Sequence, residues 1–277
     1  MTLLALETST AWSSAAVVDA AGRVLGASRP ADGPRQTRRL LEGVHEALTQ
    51  AGLTMTDLDT VVCGLGPGTF TGLRIGVATA RALAQSAGLE VGGVPTLAAL
   101  ARGLAAGEPG ASAETFVPLI DGRRNEVFAA VYERVADEPR AVDAAAGVAP
   151  TADASWPRLR EVVPLTIVPA ADLAAFLSSW PGAVTGGDGA VLYAGRLPAA
   201  VVHDGAVAAP TALMVARTWL AGAAGLRRGF VDTLPLYGRR PDAKPAAQGP
   251  LAAPSPSPAP DEGRPSAGPA TPPGMHP

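Results

Sequence analysis

The chain has 277 residues and a net charge of −3, with 17% charged residues, so it offers no basic field for non-specific nucleic-acid binding. Hydrophobic residues reach 47%, ample for a core, and a single cysteine, Cys63, excludes a disulfide framework and a cysteine metal site. Lys244 is the only lysine and lies near the C-terminus, which excludes a P-loop lysine, a Schiff-base lysine and a lysine base in the folded part.

Met1 leads directly into the apolar run Leu3–Leu6, which reads as a buried strand. No basic leader and no apolar run of about 18 residues is seen, so the expectation is a cytoplasmic chain without a membrane span. Glu7-Thr8-Ser9-Thr10 is a hydroxyl-rich turn, followed by strands over Ser13–Asp19 and Val24–Ser28 joined at Ala20-Ala21-Gly22. These three strands predict an antiparallel meander. Gly33-Pro34 breaks the chain before a helix from about Thr37 to Ala51, with Leu40, Leu41, Val44, Ala47, Leu48 and Ala51 on one stripe.

A strand over Thr60–Leu65 stops at Gly66-Pro67-Gly68, and a helix then runs to about Ser86, capped by Thr69 or Thr71. Strand, glycine turn and helix N-terminus can present free backbone N–H groups to an anion. Gly72, Gly76, Ala80 and Ala84 recur every four residues on that helix, which leaves one face almost bare for a close neighbour. Glu90–Val94 reads as a strand, and Pro95-Thr96 opens a helix to about Leu104. The first part is therefore βββαβαβα.

Glu108–Ser112 reads as a linker. Phe116–Ile120 is a strand ending at Asp121, Gly122-Arg123-Arg124-Asn125 turns the chain, and Glu126–Glu133 alternates as a strand. This loosely echoes the N-terminal strand, acid, turn and strand. Asp137–Val168 reads as irregular, Asp172–Trp180 as helical, Ala183–Thr185 as a strand entering Gly186-Gly187-Asp188-Gly189, Thr211–Gly222 as a helix and Val231–Tyr237 as extended. From Pro241 the last 37 residues hold 12 of the 27 prolines and no aromatic residue, so a disordered tail is expected. The predicted divisions are 1–107, 113–240, with the helix at 211–222 able to pack back on the first lobe, and 241–277.

Each motif also has a plain reading. Gly66-Pro67-Gly68 lacks the P-loop spacing, and the residues alone admit both a structural turn and a nucleotide loop. Glu7 and Asp121 could face each other across a magnesium nucleotide, or each could simply end a strand. His45, His203 and His276 are the only histidines, and none pairs at helical spacing to bind a metal. No Gly-x-Ser-x-Gly elbow is present. Arg74 and Arg81 share a helix face, either solvated or meeting another subunit. Gly186–Gly189 could approach an adenosine ring with its backbone, but reads rather as a glycine-rich turn.

Four blocks together resemble the TsaB family, also called YeaZ: Leu3–Thr10, Gly66–Gly76, Gly93–Leu97 and Ile120–Phe128. Tyr237-Gly238-Arg239-Arg240 after Leu234-Pro235 is similar to that family's C-terminal ending, so the resemblance covers residues 1 to about 240. It implies an α/β, two-lobed, actin-like (ribonuclease H-like, ASKHA) fold, with a second lobe that is smaller or degenerate and a disordered Pro-rich tail. It implies a non-catalytic subunit that dimerises with TsaD and activates it in making threonylcarbamoyladenosine in tRNA, beside the anticodon. The implied partners are a TsaD-like protein, a TsaE-like ATPase in the larger complex, a second copy when the chain is alone, and tRNA only indirectly. No cofactor or metal is required of this chain, with room for a nucleotide at the subunit junction.

The family pairs its helices at about Thr37–Ala51 and Thr71–Ser86 with the partner, which makes Leu40, Leu41, Thr71, Gly72, Leu73, Arg74, Ile75, Gly76 and Ala80 the implied interface. A bulky residue at Gly76 would then break the pairing and spare the fold. Glu7, Thr8, Ser9, Gly66, Gly68 and Asp121 become a vestigial nucleotide site. TsaD carries a metal-binding His-x-x-x-His, whereas Gln36-Thr37-Arg38-Arg39-Leu40 has no histidine and Glu7 stands where many relatives have Asp. An actin-like ATPase or phosphotransferase is the alternative function, and a metallopeptidase the second.

Overall fold

A computed structural model of the chain describes residues 1–28, 31–32, 36–135, 157–222 and 225–239. The expected tail, 241–277, lies outside the described residues. Strand β1 (Thr2–Glu7) is apolar on both faces and needs cover on both. It pairs antiparallel with β2 (Trp12–Asp19), which pairs with β3 (Val24–Ala27) and the short β4 (Ala31–Asp32). On its other side it pairs in parallel with β5 (Thr60–Gly66), and β5 pairs in parallel with β6 (Glu90–Pro95).

Alternate residues of β1 serve opposite layers. Leu4 and Leu6 pack with Leu40, Val44 and Ala80 from α1 (Gln36–Ala51) and α2 (Phe70–Ala87). Leu3 and Ala5 pack with Val215, Ala216 and Trp219 from α6 (Ala212–Leu220). Leu41, expected on the apolar stripe of the first helix, is 48% exposed, because the buried stripe follows Leu40, Val44 and Ala47.

The second sheet holds β7 (Thr115–Arg123), β8 (Glu126–Arg134), β9 (Leu159–Pro169), β10 (Val184–Gly186) and β11 (Val202–His203). Its order, β11-β10-β7-β8-β9, repeats the β6-β5-β1-β2-β3 order of the first sheet. The echo at Asp121 is thus part of a duplicated topology. Helices α4 (Leu173–Ser178) and α5 (Asp188–Leu192) cover its far face through Leu173, Leu177 and Ala190.

One expectation changes. Helix α3 (Thr96–Ala106) divides its buried faces between the sheets: Ala99 meets the first core, and Leu97, Leu100 and Leu104 meet the second. A helix buried on nearly every face fits between two layers. Helix α6, read as able to pack back on the first lobe, lies against the first sheet, and strand β12 (Arg227–Arg228) pairs antiparallel with β6. Residues 1–240 form one compact unit. Part of the stretch expected to be irregular is β9, and 136–156 lie outside the described residues. Among the described residues no helix is long and apolar enough to cross a membrane.

Candidate functional site

At the C-terminal end of β1, Glu7 is 1% exposed. Its Oε1 accepts hydrogen bonds from the Ser9 amide at 2.6 Å and from the Ser9 hydroxyl. Its Oε2 has no hydrogen-bond partner. Room for this carboxyl comes from Gly64 on β5, where a Cβ would lie 2.0 Å from Oε2. Burial pushes the Glu7 pKa up, and the Ser9 hydrogen bonds only partly oppose that.

The loop after β5 is equally closed. The Gly66 amide donates to Thr96 Oγ1 at 3.0 Å, and the Thr69 amide donates to the Ser9 carbonyl at 2.7 Å. Pro67 has no N–H to give. A Cβ on Gly68 would lie 2.1 Å from the Ser9 carbonyl oxygen, so the turn after β1 is seated directly on the loop. The amides of Gly66 and Thr69 are thus bonded within the chain. Thr69 stands at the N-cap of α2, yet its hydroxyl makes no capping bond, contrary to the expected cap.

The bare face of α2 has its close neighbour within the chain. Thr8 Oγ1 donates to the Gly72 carbonyl at 2.8 Å. A Cβ on Gly72 would meet the Thr8 carbonyl oxygen at 2.1 Å, and one on Gly76 would meet Thr8 Oγ1 at 2.2 Å. Gly72, Leu73, Gly76 and Ala80 are buried, as is Leu40 on α1. These five do not present a surface, which corrects their assignment to an interface. A bulky residue at Gly76 strikes the fold itself, against the expectation that it would spare it. Of the nine, Leu41, Thr71 and Arg74 are exposed and Ile75 is half-buried.

Sequence reasoning missed Phe70. It is 47% exposed, stacks 5.2 Å from the Tyr237 ring, and carries the Arg74 guanidinium 3.9 Å above its face. Arg74 Nε also donates to the Tyr237 hydroxyl at 3.1 Å. Arg81 donates to the carbonyls of Phe230 at 2.5 Å and Thr233 at 3.1 Å. The two arginines thus grip the C-terminal segment of their own chain, which neither sequence reading foresaw. The only signal was their seven-residue spacing.

On the second sheet Asp121 pairs with Arg123 at 3.1 Å, and its amide donates to Asp188 Oδ1 at 3.1 Å. Burial pushes the Asp188 carboxyl up to about 6, although the Asp121 amide pulls the other way. In the sequence Asp188 stands only as part of a glycine-rich turn. There Gly187, at φ +104°, would place a Cβ 2.2 Å from the Leu119 carbonyl, so this turn packs on β7. Among the described residues no hydrogen bond or ion pair joins Glu7 to Asp121, and no three His, Cys, Asp or Glu side chains gather as metal ligands.

A family model described as TsaD, tRNA N6-adenosine threonylcarbamoyltransferase, matches residues 34–160. The chain is 33% identical over 249 residues to an uncharacterised protein of Mycobacterium tuberculosis, covering 89% of this chain and 95% of that one. It is 42% identical over 102 residues to the Escherichia coli tRNA threonylcarbamoyladenosine biosynthesis protein TsaB, covering 36% of this chain and 43% of that one. The structure of YeaZ from Pseudomonas aeruginosa superposes with a TM-score of 0.63 at 27% identity, over 85% of this chain and 99% of that one. The chain belongs to the TsaB family. Its two sheets, with their repeated strand order, match the fold of that YeaZ structure.

Proposed function

We propose that this chain is a non-catalytic subunit in the formation of threonylcarbamoyladenosine in tRNA, pairing with a TsaD-like transferase and activating it. The observation that carries this reading is the closed loop: the Ser9 carbonyl takes the Thr69 amide at 2.7 Å while Glu7 lies buried below it. A phosphotransferase would need those amides and that carboxylate open to a magnesium nucleotide. The exposed or half-buried side chains on the two helices of the first lobe, Leu41, Thr71, Arg74 and Ile75, supply the surface for the transferase. A TsaE-like ATPase joins the larger complex. The net charge of −3 leaves tRNA phosphate contacts mainly to the partners.

The deciding experiment reconstitutes tRNA modification from the TsaD-like protein of the same genome, with and without this chain. Modification is expected only with the chain present, and equal modification without it overturns the reading. Calorimetry of the isolated chain with ATP and magnesium is expected to be silent. Binding with hydrolysis would replace the subunit reading with an actin-like ATPase.

A further inference from the structure

The helical turn α7 (Gly229–Asp232) and the extended residues 233–239 follow β12 and cross from the first sheet to the second. At the first sheet, Arg81 holds the carbonyls of Phe230 and Thr233 at 2.5 and 3.1 Å. The Leu236 amide donates to the Leu65 carbonyl at 2.7 Å, and the Leu236 carbonyl lies so near Gly66 that a Cβ there would meet it at 2.6 Å. Tyr237 then closes on Phe70 and Arg74. At the second sheet, Gly238 lies against the Phe128 ring, where a Cβ would be 2.5 Å away, and Arg239 forms an ion pair with Glu126. One short segment therefore contacts β5, α2 and β8 in succession.

We propose that residues 229–239 act as a strap that ties the second sheet to the N-terminal end of α2 and fixes where Phe70, Thr71 and Arg74 sit. The last contact is an ion pair between a side chain of the strap and one of β8, so the strap can be loosened by charge and retightened by exchanging the charges. Its consequence for partner binding rests on the pairing with a TsaD-like transferase; the strap itself does not.

The test is hydrogen exchange on the full chain carrying Arg239→Glu, Glu126→Arg, or both. The single reversals should speed exchange of amides in 65–75 and 230–239 by roughly tenfold, with β2 and α1 unchanged. The double reversal should return both regions toward the original rates. Unchanged rates in 65–75 for the single variants overturn the strap, as does acceleration spread over both sheets. Should a reversal fail to fold, Tyr237→Phe removes only the hydroxyl that Arg74 holds. It should speed exchange near residues 70–75 several-fold, and no change there overturns the proposal. A pull-down of the TsaD-like protein separates the two readings. If the unaltered chain does not bind, the proposed function fails while the exchange result stands. If it binds, the single reversals should weaken binding and the double reversal restore it.

Discussion

At Gly76 the space between α2 and the turn after β1 is set by one missing methyl group. Gly76→Ala would put a Cβ 2.2 Å from Thr8 Oγ1. It should cost about 2 kcal/mol in urea denaturation, by overpacking. Thr8→Ala removes the offending oxygen, so the double variant should be more stable than the sum of the single losses predicts, and strict additivity would sink the contact. Asp188 makes a pH prediction. Its carboxyl is raised to about 6 from an ordinary 3.8, so the folded state binds the proton more tightly than the unfolded state does. The stability it adds is complete below about pH 3.8, is lost as pH rises through about 6, and changes no further above that. At about 1.4 kcal/mol per pKa unit, the loss is at most roughly 3 kcal/mol. Asp188→Asn can still accept the Asp121 amide, so its melting temperature should gain on the unaltered protein between pH 4 and 7. A gap that stays constant with pH would refute this. The sequence showed that Glu7, Gly72 and Gly76 are unusual for their places, but not what they touch. Thr8 lies 64 residues from Gly72, and nothing local encodes that pairing.

Among the elements, two helix starts look alike and should behave differently. Thr211 Oγ1 accepts the Met214 amide at 3.3 Å, whereas Thr69 makes no such bond. Thr211→Ala should cost about 1 kcal/mol and Thr69→Ala markedly less, read from thermal melts. Equal losses would mean that Thr69 caps after all. The strands and helices of the first 107 residues were readable because each apolar period matched its element. Strand β9 was not, because Pro164 interrupts its β-branched run. The pairing absorbs that interruption: Ala129 faces Thr166 and Val131 faces Val163, so Pro164 and Leu165 are passed over at a bulge. The turn from β7 to β8 also hid its geometry. Arg123, Arg124 and Asn125 all have φ near +60°, a region that non-glycine side chains enter at a cost of about 1 kcal/mol or more each.

For the whole molecule, the shared middle layer decides behaviour. Helix α3 contributes Ala99 to one core and Leu100 to the other, so the two sheets should unfold together in a single calorimetric transition. Two resolved transitions would contradict that coupling. Composition and pattern made the class and the two related beginnings legible. They allowed the helix at 211–222 to pack back on the first lobe but gave no sign of the strand at Arg227–Arg228 that joins the first sheet beside it. That return matters for how the chain is made. Leu3, Ala5, Ala16, Val18, Val62 and Val94 wait for Val215, Ala216 and Trp219 to cover them. On the ribosome, the part translated first is therefore finished last. A fragment ending at residue 107 should emerge with an uncovered apolar face and sediment as aggregate, and a soluble fragment with native-like circular dichroism would show that it needs no such cover. Until about residue 220 has left the exit tunnel, the nascent chain is a client for whatever shields exposed hydrophobic sheet.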